Sequence, residues 1–120
     1  MANRPAWLDL LNDDAVMTAS VLRDRITGPS RIAKVVETVG ILYVSMERTF
    51  YEAIKSKEFI EYDAVLTSGH KLHGLIALTK TADGRISQIS ITQSPIEAVV
   101  WLSRELGKRL TDELGPNTFL

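Results

Sequence analysis

Apolar and polar residues alternate along the middle of the chain. In FIEYDAVLT (59–67), Ile60, Tyr62, Ala64 and Leu66 fall on one side, and Glu61 and Asp63 on the other. That period of two belongs to a strand with one buried face. The pattern returns in LHGLIALTKTADGRISQISI (72–91), where Ile76 and Leu78, then Ile89 and Ile91, share a side that continues to Gln93. Turn-forming residues at Ser56-Lys57, Ser68-Gly69 and Ala82-Asp83-Gly84 divide 43–94 into four strands of roughly ten residues each. One-sided alternation of this kind predicts an antiparallel sheet.

Elsewhere the period is helical. After Gly28-Pro29-Ser30, residues Ile32, Val35, Val36 and Val39 recur at intervals of three and four, and Gly40 ends the stripe. Ser94-Pro95-Ile96-Glu97 reads as a capping box that opens a last helix, whose apolar face carries Ile96, Val99, Val100, Leu106 and Leu110. At the other end, Pro5 starts a short helix over 5–12 and Asp13-Asp14 interrupts the pattern. AVMTASVL (15–22) then forms a first strand, and 23–27 a connection. The order is helix, strand, helix, four strands, helix, which is an α+β layer. Strands this long twist, and a strongly curled sheet with helices on its concave side makes a cone.

Composition narrows the function. The chain has 120 residues, 45% of them hydrophobic and 24% charged, as in a single globular domain able to bury a core. Fourteen basic and fifteen acidic residues are scattered through it for a net charge of −1, so no electrostatic footprint for nucleic acid exists. Without cysteine there is no disulfide, thiol nucleophile or thiolate metal site. MANRPAWLDLL carries no signal pattern, and no apolar run approaches a membrane span, so a cytoplasmic protein is the expectation. Phosphate-binding glycine loops, G-x-S-x-G elbows and H-E-x-x-H zinc motifs are all missing, and no cofactor is expected.

Four segments, in order and spacing, carry a family resemblance: LLNDDAV ending at Val16, TGPSRIAKVV (27–36), HGLIALTKTADGRISQISI (73–91) and SPIEAV (94–99). Together the chain resembles the nuclear-transport-factor-2-like superfamily in its SnoaL-like, steroid-isomerase-like branch. The resemblance covers nearly the whole sequence as one SnoaL-like domain. It implies a curved sheet wrapped with helices into a cystatin-like cone around a deep apolar pocket, commonly dimerising through the outer face of the sheet. The family's long first helix has no counterpart here. The position of the isomerase-like general base matches Ala19, and that of the oxyanion-donating acid, in a "G-x-D" pattern, matches Ile76 of Gly74-Leu75-Ile76. A steroid-isomerase reaction needs a base to move the proton and an acid to hold the enolate. Alanine and isoleucine supply neither.

The resemblance sets the inward direction. Met17 and Ala19, Ile32, Val36 and Val39, Ile60, Tyr62, Ala64, Leu66, Ile76, Leu78, Ile89, Ile91 and Gln93 are then expected to face the cone interior, most of them simply as core. Gln93 and Tyr62 are polar interruptions of aliphatic faces, and a ligand is one partner a buried amide or phenol can have. Tyr43 is a candidate rim hydroxyl. In RTFYEAIK (48–55), Glu52 becomes a desolvated candidate base if Phe50 and Ile54 face inward, while Tyr51 and Ala53 make an equally apolar alternative face.

His70 and His73, three apart on a strand, point to opposite faces and are not expected to share a metal. Glu61 and Asp63 are expected on the outer face, beside a small, semi-polar surface of Leu75, Ala77, Thr79, Ser90 and Thr92 suited to sheet-to-sheet pairing of two copies. Trp7 and Trp101 are packing residues, Trp7 in the space a longer first helix would fill. The leading expectation is a homodimer binding a small hydrophobic molecule. The alternatives are a SnoaL-like isomerase, cyclase or epoxide hydrolase using Glu52 as base, and a structural dimer module with a filled core.

Overall fold

The computed structural model describes residues 4–120. A 3-10 turn, Ala6–Leu10, leads into strand β1 (Leu11–Ala19). A two-residue β2 (Ile26–Thr27), helix α1 (Pro29–Ile41), strands β3 (Tyr43–Ile54), β4 (Lys57–Leu66), β5 (Lys71–Lys80) and β6 (Ile86–Ser94), and helix α2 (Ile96–Leu114) follow. The six strands form one curved sheet in the order β2-β1-β6-β5-β4-β3. The α+β cone is as expected. The sheet is mixed, however, because β1 runs parallel to β6 while every other pair is antiparallel. A parallel neighbour needs a long crossover, and here everything between β1 and β6 supplies it.

Several boundaries differ from those the pattern predicts. β1 begins at Leu11 and includes Asp13 and Asp14, both exposed. Its register against β6 jumps from Leu11↔Ile86 to Val16↔Gln88, so the aspartates lie in a bulge that leaves them in solvent. β1 also stops at Ala19, not at residue 22, and the connection holds β2, a strand too short for any pattern to reveal. Gly40 lies inside α1, one residue before its end. No capping box forms at α2: Pro95 is the cap residue, no side chain bonds there, and Ile96 is 77% exposed instead of on the apolar face.

The helices lie against one face of the sheet, and the core fills the space between. Met17, Ile32, Leu42, Leu66, Leu78, Ile86, Ile89, Leu102 and Leu106 are fully buried there. Each such side chain stabilises the fold by ~1.5–3 kcal/mol relative to an exposed one. The C-terminal tail closes this end: Phe119 is buried, it bridges Leu22, and the Ser103 hydroxyl donates to the Val21 carbonyl and accepts from the Leu120 N–H. The opposite end, between α1, the 3-10 turn and the middle strands, is left open.

Candidate functional site

That open end is a cavity of about 570 Å³, within the size range of small-molecule sites. Cross-strand register builds its floor. One row pairs Arg48 with Tyr62, Tyr62 with Gly74 and Gly74 with Gln93. The next row is Tyr51, Ile60, Ile76, Ile91 and Ala19. Val35, Val36 and Val39 of α1 with Trp7 of the 3-10 turn make the opposite wall. The lining is mostly aliphatic and aromatic.

Nine of the residues the sequence points inward as candidate ligand contacts line the cavity: Met17, Ala19, Val36, Tyr43, Ile60, Tyr62, Ile76, Ile91 and Gln93. Leu78 and Ile89 do not. They are buried in the core beneath it and reach no open space. Tyr43 is no rim hydroxyl, since it is buried with its ring 6.1 Å from that of Tyr62.

The polar corner is a triangle. The Tyr43 and Tyr62 hydroxyls lie 3.0 Å apart. Gln93 Nε2 donates to both, at 3.2 Å to Tyr43 and 3.0 Å to Tyr62. Burial raises both phenol pKa values above the ordinary tyrosine value, that of Tyr43 strongly. An anion would lose its hydration there, so both phenols stay protonated and are hydrogen-bonding groups, not bases. The backbone of Gln93 is fixed by its N–H to the Ser20 hydroxyl, 2.9 Å. Its side-chain oxygen Oε1 is buried and has no hydrogen-bond partner. Such an acceptor costs about 1–3 kcal/mol.

Gly74 makes this corner possible. The Tyr62 ring lies flat across the backbone of β5 at Gly74, where any Cβ would overlap its ring carbons and hydroxyl. The side chain thereby leans across β5 toward Gln93 on β6. A lone glycine inside a strand is the sequence signal for such a close approach, and it was available at Gly74.

Glu52 is not in the cavity. A register irregularity between Arg48 and Phe50 switches the facing of β3, so Met46, Arg48 and Tyr51 point inward, while Glu52 pairs with Phe59 on the outer face and is exposed. A base there cannot meet a bound molecule. The carboxylate that does line the cavity, Glu58, was unmarked in the sequence because the inner face of β4 extends one step further than the strand as read. It is already engaged by an ion pair with Lys80 and lies beside Tyr51, whose phenol pKa burial and the nearby Glu58 raise. Ala19 and Ile76 both line the cavity, so the two positions where the resemblance would place base and acid hold inert side chains in contact with its contents.

The outer face carries Phe50, Ile54 and Leu75, exposed by 47%, 53% and 37%, with Glu61 and Asp63 as expected. His73 stands between the two acids, Nδ1 2.8 Å from Asp63 and Nε2 3.5 Å from Glu61. The Asp63 bond holds its pKa above the ordinary imidazole value. His70 instead bonds the Ser68 hydroxyl, so the two histidines are apart. Among the described residues no cluster of three or more His, Asp or Glu could hold a metal ion, and no helix is long and apolar enough to cross a membrane.

Solved structures share this architecture. A steroid delta-isomerase from Pseudomonas aeruginosa superposes with a TM-score of 0.81 at 21% identity, over 93% of this chain and 82% of that one. An uncharacterised protein with a cystatin-like fold from Silicibacter pomeroyi gives 0.82 at 17%, over 89% and 75%. A nuclear-transport-factor-2-like protein of unknown function from Mesorhizobium loti gives 0.66 at 14%, over 77% and 78%. This chain has the nuclear-transport-factor-2-like fold. No protein-family model matches its sequence, and no curated protein does. At these identities the nuclear-transport-factor-2-like likeness is one of backbone, and the cavity's own side chains have to speak for its chemistry.

Proposed function

We propose that the chain binds a small, mostly apolar molecule in the cone cavity, with the molecule's polar group at the Tyr62–Gln93 corner. The observation that carries this reading is the buried, unpartnered Gln93 Oε1 in the wall of an open apolar cavity. A domain that needed only a packed core would fill the space, and an aliphatic side chain at Gln93 would spare an unsatisfied acceptor. A bound hydroxyl or amide N–H satisfies that oxygen after a small turn of the amide, and the Tyr62 hydroxyl supplies the complementary polar contact. Apolar burial contributes roughly 25 cal/mol per Å² before the costs of binding.

An enzymatic reading is weaker on this geometry. Glu58 is held by Lys80, Glu52 faces outward, and both phenols keep their protons. Binding is tested by thermal denaturation in the presence of medium-chain primary alcohols. A cavity ligand present at a hundred times its Kd stabilises by ~2.7 kcal/mol, so the melting temperature rises with alcohol concentration and saturates. A melting curve indifferent to every compound contradicts the reading.

The same proposal includes pairing of two copies through the outer face of the sheet. The exposed stripe of Phe50, Ile54 and Leu75 is bordered by acids (Glu61, Asp63) and bases (Lys71, His73) on that one face. A two-fold axis across the stripe sets acid against base while burying the apolar groups. Leu75→Arg then shifts a dimer toward monomer in sedimentation velocity. A sedimentation coefficient unchanged by the substitution overturns the assignment.

A further inference from the structure

We infer that the molecule held in this cavity is an amphipathic carboxylic acid, its carboxylate on Arg48 at the mouth and its apolar chain over Ile60, Ile76 and Ile91. The inference rests on the cavity-binding reading above and adds to it a second, charged end of the ligand, seated on Arg48 and not in the Tyr62–Gln93 corner.

The charges around the cavity carry it. Three charged side chains line the space: Arg4, Arg48 and Glu58. Arg4 is engaged by Asp9 at 3.1 Å and by Glu37 at 2.9 Å. Glu58 is engaged by Lys80. Arg48 has no carboxylate partner among the described residues, and its guanidinium stacks over the Tyr51 ring, 5.3 Å from the centroid. Its nearest acidic neighbours along the strand, Glu47 and Glu52, belong to the other face of β3. The lining therefore presents one positive charge without a carboxylate partner, set over an aromatic ring that favours the cation and leaves its N–H groups to bond an anion.

The position of that charge sets the shape of the ligand. Arg48 is on β3 and Gln93 on β6, three strand spacings apart in one cross-strand row. That separation is about 14 Å along the sheet. Because Tyr62, the cross-strand partner of Arg48, leans over Gly74 toward Gln93, the hydrogen-bonding corner is displaced from Arg48 across the floor. Ile60, Ile76 and Ile91 run alongside that row in the next one and line the cavity. A carboxylate at the deep corner would have to shed its water among buried phenols, which is unfavourable, whereas at the exposed Arg48 it keeps part of its hydration and gains a charge-assisted, two-pronged contact. A single free guanidinium balances the single charge of a carboxylate and leaves half of a dianionic phosphate unmatched.

The test is calorimetric titration of the whole chain with octanoic, decanoic and dodecanoic acids and with the corresponding primary amides, at low and at high salt. Acids that bind roughly ten-fold or more tightly than their amides, with the difference shrinking in salt, support the inference. Arg48→Met then removes the acid preference and Arg48→Lys keeps part of it, with circular dichroism melts showing that both variants fold. Amides binding as well as acids, or an acid preference that survives Arg48→Met, overturns the anionic assignment and leaves the apolar cavity standing. If neither series binds, the cavity reading fails and this inference fails with it.

Discussion

Gly74→Ala destabilises the fold by ~1–3 kcal/mol and disables the polar corner of the cavity. The physical reason is steric. An alanine methyl at this position occupies the volume of the Tyr62 ring, and neither the strand backbone nor the ring can retreat without breaking something. β5 is fixed on both sides, by Tyr62↔Gly74 pairing to β4 and Gly74↔Gln93 pairing to β6. The ring is therefore the part that moves, and it carries its hydroxyl away from Tyr43 and Gln93. Thermal denaturation measures the loss, and a thermodynamic cycle with Tyr62→Leu assigns it. If the clash is the cause, alanine at this position costs much less once the ring is gone, a coupling of about 1 kcal/mol or more. Simple additivity of the two changes would mean that the strand, not the tyrosine, requires glycine.

Gln93→Leu separates stability from binding. The substitution deletes a buried acceptor that lacks a partner, which stabilises, and withdraws the two N–H donations to the phenols, which destabilises. The Tyr43–Tyr62 hydrogen bond is independent of it, as is the backbone bond to Ser20. The net change in stability is within about 1 kcal/mol. Affinity for molecules with a hydrogen-bonding head group falls roughly ten-fold or more, because their polar end enters a corner that no longer answers it. A variant that loses about 3 kcal/mol of stability and binds alcohols unchanged would make Gln93 a structural residue. Such a pattern, a side chain that costs stability where it stands, is what a binding site leaves behind.

The sequence shows the cone clearly and the working parts of the cavity only partly. Alternation on β4, β5 and β6 is strict because each has one face on the core, and Ile60, Tyr62, Ile76, Ile91 and Gln93 fall where that alternation puts them. β3 is different. It is an edge strand, exposed along most of its length, and a break in its register reverses its facing halfway. No periodicity can locate a bulge in a segment where both faces are half apolar, and that is why Arg48 was unmarked and the choice between an inward Glu52 and an inward Tyr51 stayed open. Asp13 and Asp14 misled for the same reason: a bulge lets a strand carry two exposed charges without ending. At α2, Ser94 has the right chemistry for a cap, but Pro95 occupies the cap position, so the motif matched a spacing and not a geometry.

The resemblance to steroid-isomerase-like proteins was most informative where it failed. Ala19 and Ile76 are not displaced from the cavity by some local rearrangement. They line it, and they present methyl groups where acid–base chemistry would need carboxyls. What lines the cavity instead is a hydrogen-bonding corner at Tyr43, Tyr62 and Gln93 and, in Arg48, one lining cation that has no carboxylate partner among the described residues.

The measurement closest to the central claim is the calorimetric binding of medium-chain alcohols to the wild-type chain and to Ala19→Trp. Ala19 contributes only a methyl group to the cavity wall, so an indole there enters open space and plugs it without displacing the core beneath. The account predicts a saturable isotherm with the negative heat-capacity change of apolar burial for the wild type. For a plugged variant that still unfolds cooperatively at an undiminished temperature, it predicts no binding. Equal binding by the two proteins would place the ligand elsewhere and contradict the account.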